Sequence, residues 1–448
     1  MRWIAAPVAL VAILAGCSSS GTPTPAPSTV PPSVTTQVWS LVDGFVDWPA
    51  LPATPPGNWS LNLHQLFPSS DGDVPNWPNP PGILTGLSTS TQLVAYSATT
   101  GKQVWQVAQA PLTSPEQANE TPVVESVQNA GLHLIAVTRD LASGASQLDL
   151  YDATTGRYLY GRSGKGVTTP TLLDDQHALF DLTDTSSDGG LDEVDARTGT
   201  LVWHNPGVAA CSVYVGKILC DTIDAKSVAL LDPATGATRW TVPFQETAQG
   251  AAFSTSAVIG DEGYFTNGSS DTLTAINLDS GHIDWQRPTG IDNVQSIVPL
   301  DAGHIAVGGL VHGTSGSTEL LVSMAIRDGA TSTIYAGTDS DGSDTSNGGL
   351  VAIRLGGKEY LALIDPDGSI RTFGSNGHQV AMLAADCATF ADVVGDTLGC
   401  GSTNGYTLYA LPGLRVRGNF DAGNSTSISV VGNVLLANID DTVKPITP

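Results

Sequence analysis

Tyr96-Ser-Ala-Thr-Thr-Gly101-Lys-Gln-Val-Trp105 opens a series of five near-copies of one pattern. The others read Tyr151-Asp-Ala-Thr-Thr-Gly156-Arg-Tyr-Leu-Tyr160, Val194-Asp-Ala-Arg-Thr-Gly199-Thr-Leu-Val-Trp203, Leu231-Asp-Pro-Ala-Thr-Gly236-Ala-Thr-Arg-Trp240 and Ile276-Asn-Leu-Asp-Ser-Gly281-His-Ile-Asp-Trp285. In each copy Gly follows the first residue by five positions, and the aromatic follows Gly by four. Apolar residues flank a polar turn that ends in Gly, the residue that takes the positive φ a tight hairpin needs. Each copy therefore predicts a strand, a turn and a strand.

Steps of 55, 43, 37 and 45 separate these glycines. That is the period of a four-stranded propeller blade and too long for one hairpin. Looser copies continue the series at Ile326-Arg-Asp-Gly329, Ile364-Asp-Pro-Asp-Gly368 and Tyr409-Ala-Leu-Pro-Gly413, without the terminal Trp. Eight turns predict an all-β fold, a β-propeller of eight four-stranded blades over residues 85–448. Seven blades stay open if a degenerate copy is an insertion or two weak copies share a blade. Closing the ring would protect strand edges that an open sheet of this size would expose.

Ala95 to Trp105 also resembles the tryptophan-docking repeat A-x-D/N-x-x-T-G-x-x-x-W of quinoprotein dehydrogenases. It is similar as well to the repeats of the bacterial outer-membrane assembly lipoprotein of the Bam complex. The resemblance spans roughly residues 85–420, strongly in the first half and weakly after Arg327. It implies that Trp105, Trp203, Trp240 and Trp285 pack between neighbouring blades, with Tyr160 substituting once, over turns at Gly101, Gly156, Gly199, Gly236 and Gly281. One fold hosts enzymes and scaffolds alike, so the repeat points to architecture and not to activity.

The N-terminus points to a location. A short charged start is followed by an apolar run, Ile4 to Leu14, too short to span a bilayer, and Leu14-Ala-Gly-Cys17 resembles a bacterial lipobox. Residues 1–16 are then a lipoprotein signal peptide, with Cys17 lipidated and the mature chain held on the extracytoplasmic side of the membrane. Residues 17–37 are a Ser/Thr/Pro-rich tether that cannot bury a core. Residues 38–84 hold Trp39, Trp48, Trp59 and Trp77 among many prolines. This stretch is expected to pack on the ring or supply a strand that closes it, the alternative being an exposed aromatic arm for a partner.

Without the signal peptide 17 basic residues stand against 43 acidic ones, a net charge of −26. Phosphate backbones need clustered Lys and Arg, and Lys occurs only six times, so nucleic acid is not an expected partner. Past Cys17 four cysteines remain, Cys211 with Cys220 and Cys387 with Cys400. Their even number and the export signal predict two local disulfides, each stapling the outer-entry hairpin of its blade. Neither pair has the C-x-x-C spacing of redox catalysis.

Catalytic patterns are sparse. The eight histidines are scattered, and neither H-E-x-x-H nor G-x-S-x-G occurs. Quinoprotein dehydrogenases bind pyrroloquinoline quinone and calcium, and many stack adjacent cysteines on the cofactor; this chain has no Cys-Cys pair. Asp339, Asp341 and Asp344 resemble the start of a calcium loop but lack its distal Glu. Asp184, Asp188 and Asp192, around Gly189-Gly190, form a second acidic stretch, and both are expected as solvated turns between second and third strands. No cofactor or catalytic residue is expected. The reading is an envelope scaffold that binds protein partners through its face loops; the alternative is a quinone-dependent oxidoreductase or a small-ligand or sugar sensor.

Overall fold

A computed structural model describes residues 60–62 and 82–446, less 90, 113–121, 129–131, 166, 183–188, 215, 223–225, 244–252, 268–270, 313–316, 338–348, 366–367, 385–386, 388–392, 395, 403–404, 421–425, 432–433 and 440–441. The described residues form strands and turns, and no helix among them is long and apolar enough to cross a membrane. Cys17, the tether, the four tryptophans of residues 38–84, and Asp184, Asp188, Asp339, Asp341 and Asp344 lie outside them.

The described strands assemble into nine antiparallel sheets. The first begins at Ile83–Thr89, two residues ahead of the expected boundary, and has three described strands. The second to eighth each take four strands in chain order, as in Val123–Gln128, His133–Asp140, Ser146–Asp152 and Tyr158–Gly164 of the second. First strands of successive sheets touch one another: Val123–Gln128 meets Thr171–Leu172, and Asn293–Asp301 lies between Phe253–Ile259 and Gly349–Leu355. They form the inner wall of the ring.

Packing between neighbouring sheets supplies the core. Strands of a small sheet are apolar on both faces because each face meets another sheet. Leu87 and Leu93 of the first sheet pack with Ile135, Val137 and Tyr151 of the second. Equivalent clusters join each following pair as far as the seventh and eighth. The ring closes where Leu84 and Val94 of the first sheet pack with Val434, Leu436 and Val443 of the ninth.

Nine sheets exceed the eight expected from glycine turns, and the reason is topological. The ninth takes three strands from the C-terminus, Thr426–Val431, Val434–Ile439 and Thr442–Pro445. Its fourth is Leu61–Asn62, with Leu61 opposite Val443 and Asn62 opposite Thr442. No turn joins its third and fourth strands, so no glycine marks it. Gly368 also departs from expectation. It lies between the second and third strands of the seventh sheet, Lys358–Ile364 and Ile370–Gly374, while the third-to-fourth turn carries Gly377 at φ +73°. Pro-Asp-Gly fits either hairpin, and local turn chemistry does not say which.

Candidate functional site: docked seams and the polar end of the ring

The repeated turn is built from its own side chains. Asp152, Asp195 and Asn277 accept hydrogen bonds from the backbone N–H groups of Thr155, Thr198 and Ser280, and each turn's Gly donates its N–H to the carbonyl four residues back. Past each Gly the fourth strand carries one extra residue against the third. Ala95 faces Trp105 and Tyr96 faces Gln103, leaving Val104 unpaired. The same bulge leaves out Leu159, Val202, Arg239 and Asp284 in the next four sheets. A bulge re-aims the residue that follows it. Here that residue is the aromatic, turned onto the neighbouring sheet.

It lands on the next sheet's glycine. A Cβ on Gly156 would sit 2.8 Å from Cδ2 of Trp105, one on Gly281 2.6 Å from Cγ of Trp240, and one on Gly329 2.8 Å from Cε3 of Trp285. Gly236 lies equally close under Trp203, and Gly199 under Tyr160. Only a residue without a side chain admits this contact, and the positive φ of these turns favours Gly independently. Each indole N–H then donates to the carbonyl three residues before that glycine: Trp105 to Ala153 at 3.0 Å, Trp203 to Pro233 at 3.1 Å, Trp240 to Leu278 at 2.8 Å and Trp285 to Ile326 at 2.7 Å. Tyr160 keeps the ring contact, but its buried hydroxyl finds no partner. In the sixth sheet the bulge moves to Ile334, which packs on Gly377 at 3.5 Å, so the seam persists without Trp.

The opposite end of the ring, where second strands turn into third strands, is polar inside. Arg139 donates to Asp149, both buried, and Gln147 donates to Asp149 at 3.1 Å and to the Pro111 carbonyl at 3.3 Å. Burial raises the Asp149 pKa, while Gln147 and Arg139 oppose the rise. Arg162 reaches across from the second sheet to Asp192 of the third, which also accepts from His204 at 2.7 Å. Asp192 therefore does not lie in a solvated turn as expected; it is a buried strand residue holding two sheets together. Arg371 donates to Asp365 at 2.6 Å, lies over the Tyr335 ring at 4.4 Å, and Tyr335 donates to Asp365 at 3.2 Å.

Three acids at this end are less completely satisfied. Asp181 accepts the Cys211 N–H at 3.3 Å, and burial raises its pKa. Asp221, 8 % exposed, has an oxygen with no hydrogen-bond partner, and burial followed by repulsion from Asp181 pushes it up to about 7. Glu319 rises to about 8, through burial and then Asp365. The repeat does not single out such strand acids. Their one signal in the sequence is a charge inside an apolar run, as in Leu148-Asp149-Leu150.

The two disulfides join Cys211 to Cys220 and Cys387 to Cys400, with Cα separations of 4.1 and 5.3 Å. Their placement differs from the expected outer-entry hairpin. Cys211 and Cys220 link the inner-wall strand Val208–Tyr214 to Lys217–Thr222, because the chain enters each sheet at the centre of the ring. Cys387 precedes the first strand of the eighth sheet, Val393–Val394, and ties the connection from the seventh sheet to Thr397–Ser402.

His177, His204, His282 and His304 each lie beside a carboxylate, Asp174, Asp192, Asp284 and Asp301, at 2.7 to 3.1 Å. No group of three His, Cys, Asp or Glu residues suited to a metal occurs among the described residues. The quinone resemblance would require free acids for calcium and the catalytic base. Asp149, Asp192 and Asp365 at the polar end are engaged by Arg139, Arg162 and Arg371 and do not fit that role, whereas Asp181, Asp221 and Glu319 at the same end each keep a buried carboxylate oxygen without a hydrogen-bond partner.

No curated protein matches the chain. Solved structures similar to it include BamB from Moraxella catarrhalis, at 15% identity and TM-score 0.47, covering 88% of this chain and 99% of that one. Sqt1 of Saccharomyces cerevisiae matches at 12% identity and TM-score 0.48, covering 74% and 97%. Quinohemoprotein alcohol dehydrogenase from Comamonas testosteroni matches at 11% identity and TM-score 0.42, covering 80% and 72%. A family model described as outer membrane protein assembly factor BamB matches residues 58–206 and 185–370. Two overlapping matches that run from the closing strand through the docked repeats cover more than half of the sequence, and the chain belongs to that family.

Proposed function

We propose that the protein is a lipid-anchored scaffold on the extracytoplasmic side of the cell membrane, which holds envelope proteins on the loops of its ring and catalyses no reaction. The observation that supports this reading is how the recurrent residues are used. The Trp and Gly that repeat from sheet to sheet make four of the seams, and Asp149, Asp192 and Asp365 at the other end are tied to arginines of the same or adjacent sheets. Both arrangements produce rigidity, which suits a platform for variable loops. Anchoring rests on Leu14-Ala-Gly-Cys17, whose acyl chains would each contribute about 0.8 kcal/mol per buried methylene.

The test is a titration of the purified protein with pyrroloquinoline quinone and calcium, read by Trp fluorescence and dye-linked alcohol oxidation, beside crosslinking in intact membranes. No quinone response together with discrete crosslinked partners is expected. Saturable binding with turnover refutes the scaffold reading. Full-length Cys17→Ala should leave the detergent phase, and its retention there would refute the anchor.

A further inference from the structure

Five seams of the ring are closed by an aromatic over a glycine, but the seam between the seventh and eighth sheets is built differently. A Cβ on Gly413, the turn glycine of the eighth sheet, would meet nothing within 4 Å. Across this seam Thr372 donates to the Pro412 carbonyl at 2.7 Å, and the Cys387 N–H donates to the Gly368 carbonyl at 3.3 Å. Cys387 and Cys400 are buried in the cluster that joins Ile364 and Ile370 of the seventh sheet to Leu398 and Tyr409 of the eighth.

The two sheets beyond this seam close the ring. Thr397–Ser402 and Gly405–Ala410 of the eighth sheet touch Thr426–Val431 of the ninth, and the ninth packs on the first and pairs with Leu61–Asn62. Cys211–Cys220 is placed otherwise. It joins adjacent strands of one sheet whose two seams are already held by Trp203 and Trp240.

We propose that Cys387–Cys400 is an oxidation-dependent latch on ring closure, doing at the seventh seam what Trp docking does at four of the others. One thiolate attacks a protein or small-molecule disulfide, releasing one of its sulfurs as a thiolate and leaving a mixed disulfide, and the second thiolate then attacks this chain's sulfur in the mixed disulfide and expels the other. The S–S bond forms as two protons and two electrons pass to the oxidant, whose disulfide departs as two thiol groups. Before that step the eighth sheet is joined to the seventh by the connecting backbone, hydrogen bonds and apolar contact, and the eighth and ninth sheets open at this seam more readily. The latch thereby makes closure follow exposure to an oxidant.

The experiment is hydrogen exchange read by mass spectrometry on full-length Cys211→Ser/Cys220→Ser protein, in which Cys387–Cys400 is the remaining bridge. It is compared before and after reduction by a phosphine, with thiol labelling to establish that the bridge has opened. Exchange in Thr397–Ser402, Gly405–Ala410, Thr426–Val431 and Val434–Ile439 should rise roughly tenfold or more, with the second to fifth sheets unchanged. Cys387→Ser/Cys400→Ser should show the same pattern without reductant, and Cys211→Ser/Cys220→Ser alone should not. Unchanged exchange in those strands, or an equal rise across all sheets, overturns the proposal.

Discussion

Replacing Gly236 by Ala would put a methyl group where the indole of Trp203 lies. The new Cβ would be 2.5 Å from Cδ2, about an ångström inside contact distance. The ring has little room to withdraw, since its N–H is bonded to the Pro233 carbonyl and its body packs with Leu179, Val208 and Ile218. Two costs combine. Gly236 holds φ +67°, which costs Ala roughly 1–2 kcal/mol. Complete loss of a buried Trp costs about 3–5 kcal/mol, and a displaced ring with a broken hydrogen bond about half of that. Gly236→Ala should therefore lose about 3–4 kcal/mol. Gly260→Ala is the control, because Gly260 has φ +64° with nothing within 4 Å of its Cβ, and it should lose about 1–2 kcal/mol. Urea unfolding followed by Trp fluorescence and far-UV circular dichroism measures both. The comparison cancels the unfolded-state entropy common to the two Gly→Ala changes. Values within about 0.5 kcal/mol of each other would refute the docking argument.

Tyr160→Trp should stabilise by about 1 kcal/mol, because an indole N–H there meets the same carbonyl position, at Ala196, that the other four seams use; a lower urea midpoint would count against this rule. Arg139→Met should cost about 3–5 kcal/mol by leaving Asp149 buried and unpaired, and adding Asp149→Leu should restore most of it, both read from denaturation midpoints. Asp221, together with Glu319, contributes to the pH dependence. Its folded pKa of about 7 lies above the ordinary unfolded value of about 3.9, so the folded state holds the extra proton between them. The Asp221 contribution to stability should fall as pH rises through that window, by at most about 1.4 kcal/mol per pH unit, and level off above 7, with Glu319 adding a fall of its own up to about 8. Asp221→Asn should flatten this slope and exceed the wild type in stability at about pH 8, as measured by urea titrations at about pH 5 and pH 8.

The hairpins are legible in the chain because their causes are local. A glycine at positive φ, an Asp or Asn that caps the turn and an aromatic four residues on all act within ten residues, and at Gly101, Gly156, Gly199, Gly236 and Gly281 the turn forms where the repeat places it. The cysteine pairs are legible for the same reason, each closing a short span. Where the cause lies in distant residues, spacing is silent. A ninth sheet exists because Leu61 meets Val443 from the other end of the chain, and no repeat records that encounter. Gly368 and Gly377 compete for one role, and pairing across the sheet decides between them. Asp192, Asp221 and Glu319 read as ordinary polar residues until neighbouring sheets bury them, and a pKa follows from surroundings that only the closed ring supplies. The repeating unit is thus written in the amino-acid order, since turn geometry and strand pattern are short-range. How many units close the ring, which seams carry indoles and which acids keep their protons are settled when the sheets meet, because burial is a property of the assembly and not of the segment.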